Sequence, residues 1–442
     1  MKKKVETYFR AIPSPSVTYM FLTWFLFMGI AILLIYIQGV IEARPYPMNT
    51  FLPAPATRFG DFFGTFSQYA QAKGLGGVGY GVAYFPATYL PIQALVTMTS
   101  DPWRAMWISQ ITWIFGSIVV IFYTLRSKGF LVSAVAMVLI IFSYPSLLAF
   151  HTGNIEGWTG FLLLVAAALA LRNSWLSFGV VVGVMGALKG VPMVFLLIPW
   201  FTCKWKVALR ATAASLLTAA FLTLTALFFL PHGILSSGLS GATHALTAIR
   251  KSQAMYTELM VNGAAGIHYG HSILNTVHAI WGMGTLPSPT WGPILFIVVI
   301  ILLVLVMILL RRLQAPIWMK FAVVGSIGCL APATSTDYKL LYLAPALLAF
   351  LAAIDVTSPW TIGPICLVVF AMSPKPWLYV GTDPFGNATV YLTTAALLAI
   401  PLVCLAAMAM HPNEPQKLPV RPNGQQKPLV RQTGRQKPRA RR

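Results

Sequence analysis

Apolar runs of about 20 residues recur from one end of this chain to the other, and that recurrence limits the fold more than any motif does. Each run can cross the roughly 30 Å hydrocarbon core of a bilayer as a helix, which satisfies its own backbone there. Only 10 of 442 residues are Asp or Glu, 57% are hydrophobic and 9% are charged. That is too apolar for a water-soluble domain, so the chain reads as an all-α polytopic membrane protein. The formal net charge of +21 suggests nucleic acid until its distribution is considered. Lys and Arg sit at the N-terminus, in short loops and in the tail, as cytoplasmic segments require, so nucleic acid is not the expected partner. Cys203, Cys329, Cys366 and Cys404 lie in or beside apolar segments without ligand spacing, and read as free thiols.

Lys2, Lys3, Lys4 and Arg10 precede the first run, Val17 to Val40, which is too long for a signal-peptide core and lacks a small-residue cleavage site. It is expected to stay as a helix with a cytoplasmic N-terminus. Ile41 to Ala83 turns polar, aromatic and rich in Pro and Gly, as an external loop does. GLGGVGYG near its end has no preceding strand and reads as a flexible loop, not a nucleotide fingerprint. Within this loop, RFGDFFGTFSQYAQAK at Arg58 to Lys73 sets Asp61 among Phe59, Phe62, Phe63, Phe66 and Tyr69, a short interfacial helix with its polar face toward water. Asp61 is either a general base or merely the cap of that helix. Gly60 and Gly64 either admit a ligand or serve a tight turn.

Tyr84 to Thr99 is short and interrupted by Pro86 and Pro91. It either spans while kinked or dips in and returns, and only the second choice leaves Arg126 and Lys128 inside. Helices are expected over Ala105 to Leu125, Phe130 to Phe150 and, after HTGNIEG at His151 to Gly157, Trp158 to Leu171. Trp175 to Phe201 carries Lys189, Gly190 and Pro192 near its centre. Two half-helices with LKGVP at their tip keep Arg172 and Lys204 on one side. A lysine at membrane depth needs a wet cavity or an anion, so Lys189 is either a functional cation or a Glu-paired packing device.

After a helix over Ala211 to Leu230, Pro231 to Thr290 reads as a second long external loop with weak helical patches. His268 and His271, in GIHYGHSIL, are candidates for holding a phosphate, beside the plainer reading as solvated loop histidines. Trp291 to Leu310 returns to Arg311 and Arg312, and Ile317 to Leu330 comes out again. Asp337 and Lys339 then share a short outer turn as a close pair ahead of a helix over Leu340 to Ile354. Asp355 faces inward, and the last apolar runs are Thr361 to Met372 and Ala388 to Met410, joined by a loop with Lys375, Trp377 and Asp383. His411 to Arg442 holds nine Lys or Arg and one acid, Glu414. It is expected to be a disordered polybasic tail lying on anionic inner-leaflet lipid. The chain thus divides into a membrane domain, 1–410, and a tail, 411–442.

On the external side this reading gathers Asp61, Asn154, Glu156 and Asp337 with Lys189, His268, His271 and Lys339. The chain has no HEXXH, nucleophile elbow, Walker loop or Cys/His metal set, which leaves peptidase, ATPase and metal-site readings without support. A carboxylate beside the membrane and a lysine at half-depth suit a reaction in which cations hold a departing lipid phosphate while the carboxylate deprotonates a hydroxyl. Glycosyl transfer from a lipid-phosphate sugar has these needs, although transporters also place acids and lysines at the ends of broken helices.

Taken in order, the Asp61 to Tyr69 run, F-P-x-x-x-L-P at Phe85 to Pro91, G-N-I-E at Gly153 to Glu156, A-L-K-G-V-P at Ala187 to Pro192, G-H-S-I-L at Gly270 to Leu274 and A-P-A-T-S-T-D-Y at Ala331 to Tyr338 resemble glycosyltransferase family 87. The resemblance spans roughly Val17 to Met410. It implies the GT-C superfamily: a multi-helix transmembrane bundle whose first external loop carries short interfacial helices. It further implies an inverting, metal-independent enzyme of a bacterial inner membrane that needs no cofactor. Such an enzyme moves a hexose or pentose, mannose favoured, from a polyprenyl-phosphate donor to a hydroxyl of a lipid or glycan acceptor on the periplasmic face. By resemblance Asp61 is the base and Lys189 holds the donor phosphate, with His271 or Lys339 helping. Asn154 matches the family's asparagine, while Glu156, His268 and Asp337 remain candidates for donor or acceptor binding. A secondary transporter or lipid-linked-sugar flippase is the rival; it predicts internal repeats and mid-helix acids, and the sequence shows no convincing repeat. A ligase moving whole glycans usually leans on external arginines, and Arg250 is the only one in the second loop.

Overall fold

The computed structural model describes residues 15–43, 58–72, 84–262, 270–281, 291–332, 335–353, 359–374 and 388–411. Among them every regular element is helical, and an isolated antiparallel bridge joins Gly270 to Thr336. Five of the helices are long and apolar enough to cross a membrane, or six if one bent pair counts as a span. The N-terminal basic cluster, the glycine cluster at 74–81, His268, Asp355, Lys375, Trp377, Asp383 and the tail after His411 lie outside the described residues. All four cysteines are free thiols.

The first span, α1 (Pro15–Tyr36), runs on into a π-helical turn at Ile37–Ile41. Two short helices follow, α2 (Gly60–Ala72) and α3 (Tyr89–Met98), the second entered through a 3-10 turn at Pro86–Thr88. The 10 residues of α3 extend about 15 Å, half of what the hydrocarbon core requires, so Tyr84 to Thr99 does not span. Tyr69 stacks on Tyr89 with centroids 5.3 Å apart and donates its hydroxyl to Gln93 Oε1 at 2.7 Å, which clamps α3 to α2.

Two longer helices then run side by side in the same direction, α4 (Pro102–Leu125) and α7 (Glu156–Leu171). Trp158 Nε1 donates to Ser109 Oγ at 3.0 Å near their starts, and the Arg172 guanidinium lies 4.1 Å from the Tyr123 ring at their ends. Arg126 lies 4.7 Å from the same ring. Arg126 and Arg172 therefore share one end of the bundle.

Between these two the chain returns as α5 (Phe130–Ile141) and α6 (Tyr144–Thr152). The expected single helix over Phe130 to Phe150 is instead bent by 54°. The Ile140 carbonyl accepts the hydroxyls of Ser143 and Ser146 at 2.7 and 2.6 Å, and Pro145 has no N–H to continue the ladder.

The hairpin expected at LKGVP is present. α8 (Trp175–Leu188) stops at Lys189, whose backbone is extended; a 3-10 stretch at Val191–Leu196 turns back, and α9 (Leu197–Thr202) completes the return. Both arms lie on α10 (Trp205–Phe229). Gly179 and Gly183 face the backbone at Ala211 and Ser215, and neither has room for a Cβ. Met193 Sδ accepts the Ser215 hydroxyl at 3.5 Å and Trp200 Nε1 donates to Thr212 Oγ1 at 3.0 Å. The second arm thus runs opposite to the first.

In the loop after α10 the expected weak patches are a 29-residue helix, α11 (Ile234–Asn262), kinked at Gly238, followed by α12 (Ile273–Trp281). Apolar residues are spread thinly among Ser, Thr and Gly in α11, which hides its period; Ala242 and Ile249, two turns apart, are buried and anchor it. The remaining helices are α13 (Trp291–Arg312), α14 (Ile317–Leu330), α15 (Ala344–Ala352), α16 (Ile362–Met372) and α17 (Ala388–Met410). Where one helix is expected over Leu340 to Ile354, a 3-10 stretch at Asp337–Leu343 precedes α15, and Pro345 stands in the first turn of that helix.

Candidate active site

The site grows from the turn between α6 and α7. Gly153 closes α6 with a φ of +69°, and a Cβ there would lie 2.6 Å from Phe62 Cβ. Glycine is therefore needed twice, for the left-handed backbone and for the close approach of α2. Phe59 donates its N–H to the His151 carbonyl at 2.7 Å. Its own φ of 54° costs about 1–2 kcal/mol. Burial of its ring against Phe63, Trp103 and Phe150 at 6.2, 6.1 and 5.9 Å offsets that strain. These contacts set the first turn of α2 over the α6–α7 turn.

Asn154 then reaches both ways. Its Nδ2 donates to Asp61 Oδ2 at 2.7 Å, and its Oδ1 accepts the Glu156 N–H at 2.9 Å. A carboxylate only accepts and an N–H only donates, so the two bonds fix the amide's orientation. Asp61 is exposed, and its Oδ1 carries no protein hydrogen bond among the described residues. A Cβ at Gly60 or Gly64 would meet nothing within 4 Å, so this side of α2 stands open.

Glu156 opens α7 with its side chain fully buried, and its Oε1 accepts from Lys189 Nζ at 2.9 Å. Lys189 keeps 18% of its side chain exposed. Its ammonium lies 5.3 and 5.6 Å from the ring centroids of Tyr84 and Tyr338, within cation–π range. Lys339 is buried and shares the electrostatic neighbourhood of Lys189 and Glu156. Two lysines thus share the neighbourhood of the Glu156 carboxylate.

A third group braces this pocket. Asp337 Oδ2 accepts the Tyr144 hydroxyl at 2.7 Å, and Oδ1 contacts His271 Nε2. The His271 N–H donates to the Ser335 carbonyl at 2.8 Å, beside the Gly270–Thr336 bridge. His271 is 1% exposed, so it is a buried partner of Asp337 and not a solvated loop histidine. Asp337 and Lys339 are expected as a close pair; the structure instead gives Asp337 to His271 and Tyr144.

Every residue singled out from the sequence is brought into this neighbourhood except His268, which lies outside the described residues. Sequence reasoning missed Tyr84, Tyr144 and Tyr338. Tyr84 and Tyr338 stand at the ends of apolar segments, where a tyrosine is ordinarily an interface anchor, and Tyr144 lies inside the run expected as one helix over Phe130 to Phe150, where nothing marks it. Among the described residues no three His, Cys, Asp or Glu side chains come together as a metal site.

Residues 87–336 match the model of Glycosyltransferase family 87, more than half of the 442 residues. The chain belongs to glycosyltransferase family 87. This family 87 protein is a membrane glycosyltransferase, as its motifs suggest. The matched region holds Asn154, Glu156, Lys189 and His271; Asp61, Asp337 and Lys339 flank it and join the same site. Comparisons with curated proteins and with solved structures return no match.

Proposed function

We propose that this family 87 glycosyltransferase moves a sugar, mannose favoured, from a polyprenyl-phosphate donor to a hydroxyl of a lipid or glycan acceptor, with inversion. The observation that carries this reading is one continuous connection, Asp61 to Asn154 to Glu156 to Lys189. It ties an exposed carboxylate to the pocket that carries Lys189.

Asp61 Oδ1 takes the proton of the acceptor hydroxyl as the hydroxyl oxygen attacks the anomeric carbon. The bond from that carbon to the phosphate oxygen breaks, and the departing phosphate keeps the electron pair. Lys189 and Lys339 stabilise the charge that develops there. Such an in-line displacement inverts the anomeric centre. The alternative, double displacement, needs a second uncommitted carboxylate as nucleophile. Glu156 is held by Lys189, and Asp337 by Tyr144 and His271, which favours the single step. With lysines supplying the positive charge, the reaction needs neither metal nor cofactor, and activity should survive chelation.

Arg126 and Arg172 mark the far end of the bundle. The preference of basic loops for the cytoplasm then directs the site to the periplasmic face of a bacterial inner membrane and the basic tail to anionic inner-leaflet lipid. The test is transfer by purified protein in nanodiscs, offered polyprenyl-phosphate mannose or arabinose with a mixed lipid acceptor pool, wild type beside Asp61→Asn. Labelled product from wild type alone is expected. Product from Asp61→Asn at the wild-type rate would remove Asp61 as the base. No transfer and no binding of either donor would favour a transporter.

A further inference from the structure

A second polar cluster lies at the end of the hairpin opposite LKGVP, where α9, α13 and α14 converge. Arg311, in the last turn of α13, donates from Nη1 to the Trp200 carbonyl at 2.8 Å, and its side chain is otherwise exposed. Lys320, in the first turn of α14, is 6% exposed, and α14 is buried continuously from Trp318 to Leu330. The charged and titratable surroundings of Lys320 are the Arg311 guanidinium and the Cys203 thiol. Among the described residues no carboxylate pairs with Lys320 or Arg311.

An ammonium on a largely buried side chain costs free energy unless a counter-charge and hydrogen-bond acceptors meet it, and a second cation nearby raises that cost. Here both groups only donate, and Arg311 presents N–H groups beyond the one given to Trp200. What complements them is an anion with several acceptor oxygens, to which a guanidinium binds in fork geometry and an ammonium as a point charge. We infer that Lys320 and Arg311 form a binding site for a phosphate group at this basic end of the bundle, separate from the Asp61 site. The headgroup of an anionic lipid and free inorganic phosphate carry the same chemistry. This inference does not depend on the proposed sugar donor.

The full chain is to be reconstituted in nanodiscs of phosphatidylcholine alone, of phosphatidylcholine with phosphatidylglycerol, and of phosphatidylcholine with inorganic phosphate added. Thermal unfolding is followed for wild type, Lys320→Met and Arg311→Gln, and native mass spectrometry counts retained lipid. Wild type is expected to gain several degrees with phosphatidylglycerol and to retain an anionic lipid that both variants lose. Lys320→Met should also be the more stable protein in phosphatidylcholine alone, because no unpaired charge remains on a largely buried side chain. A gain with inorganic phosphate equal to that with phosphatidylglycerol assigns the site to a soluble phosphate. Equal gains in wild type and variants, or no gain in wild type under either condition, overturn the site. Arg311→Gln changes an exposed position, so it keeps the comparison decisive if Lys320→Met does not fold.

Discussion

Asn154 holds Asp61 by a 2.7 Å hydrogen bond across 93 positions of sequence, while the other end of the same amide grips the start of α7 at 2.9 Å. The carboxylate on the short helix α2 is thereby fixed to the bundle that carries the lysines. Without this bond Asp61 would keep its chemistry and lose its place.

Asn154→Ala should therefore lower kcat by about 10–100-fold with little change in donor KM, the scale expected when a reacting group is displaced by about an ångström. Asp61→Asn should cost about 10²–10⁴-fold, the usual worth of a general base. If Asn154 acts through Asp61, the double variant is no slower than Asp61→Asn alone. Steady-state kinetics of the three variants decide this, and multiplied losses would show that Asn154 works elsewhere.

The Glu156–Lys189 pair calls for separate readings of stability and activity. Glu156→Gln leaves Lys189 without its carboxylate partner and should destabilise by about 3 kcal/mol, at the low end for a broken buried pair because Lys189 is partly exposed. Lys189→Met should weaken donor saturation. The double variant, with both charges gone, should regain part of the stability without regaining activity. Chemical unfolding and donor titration on the same preparations test this. A pair that serves packing alone would regain both.

Gly153→Ala meets two obstacles at once, a left-handed backbone and a Cβ 2.6 Å from Phe62. The first costs about 1–2 kcal/mol and the second about 1–3 kcal/mol. The strain should be relieved by lifting α2 from the turn, so transfer should fall more steeply than the melting temperature. Phe62→Ala should restore some activity to Gly153→Ala, and the absence of any rescue would separate the turn from α2 docking.

How far the sequence anticipates this site depends on how local each cause is. The LKGVP hairpin is legible because Gly190, Pro192 and the basic ends Arg172 and Lys204 act within a few residues of the bend. The last span, Ala388 to Met410, is likewise bounded by its own composition. Asp61 and Lys189 stand out because charge is rare in apolar surroundings. Their partners do not, since Asp61 with Asn154, Tyr144 with Asp337 and His271 with Asp337 are matched only when separate helices pack. The α5–α6 bend is hidden for a different reason: Ser143 and Ser146 turn their hydroxyls onto the Ile140 carbonyl, a choice a serine makes only in context.

The contact between α8 and α10 extends the same logic from stability to the pocket. Gly179 and Gly183 let α8 approach the α10 backbone at Ala211 and Ser215, the close packing that small residues permit between helices in a membrane. Lys189 follows directly on the last turn of α8, so the helix position sets the depth of its ammonium. Gly183→Ala introduces a methyl group where backbone already stands, and should cost about 1–3 kcal/mol. Because α8 moves as a rod, Lys189 should shift relative to Glu156 and donor KM should rise, although residue 183 packs against the α10 backbone and not against Glu156. Leu176→Ala, an exposed position on the same helix, should leave both quantities unchanged. Unfolding and donor titration of the two variants separate the cases: a Gly183→Ala protein that is destabilised yet saturates normally would show that α8 packing and the lysine's position are uncoupled.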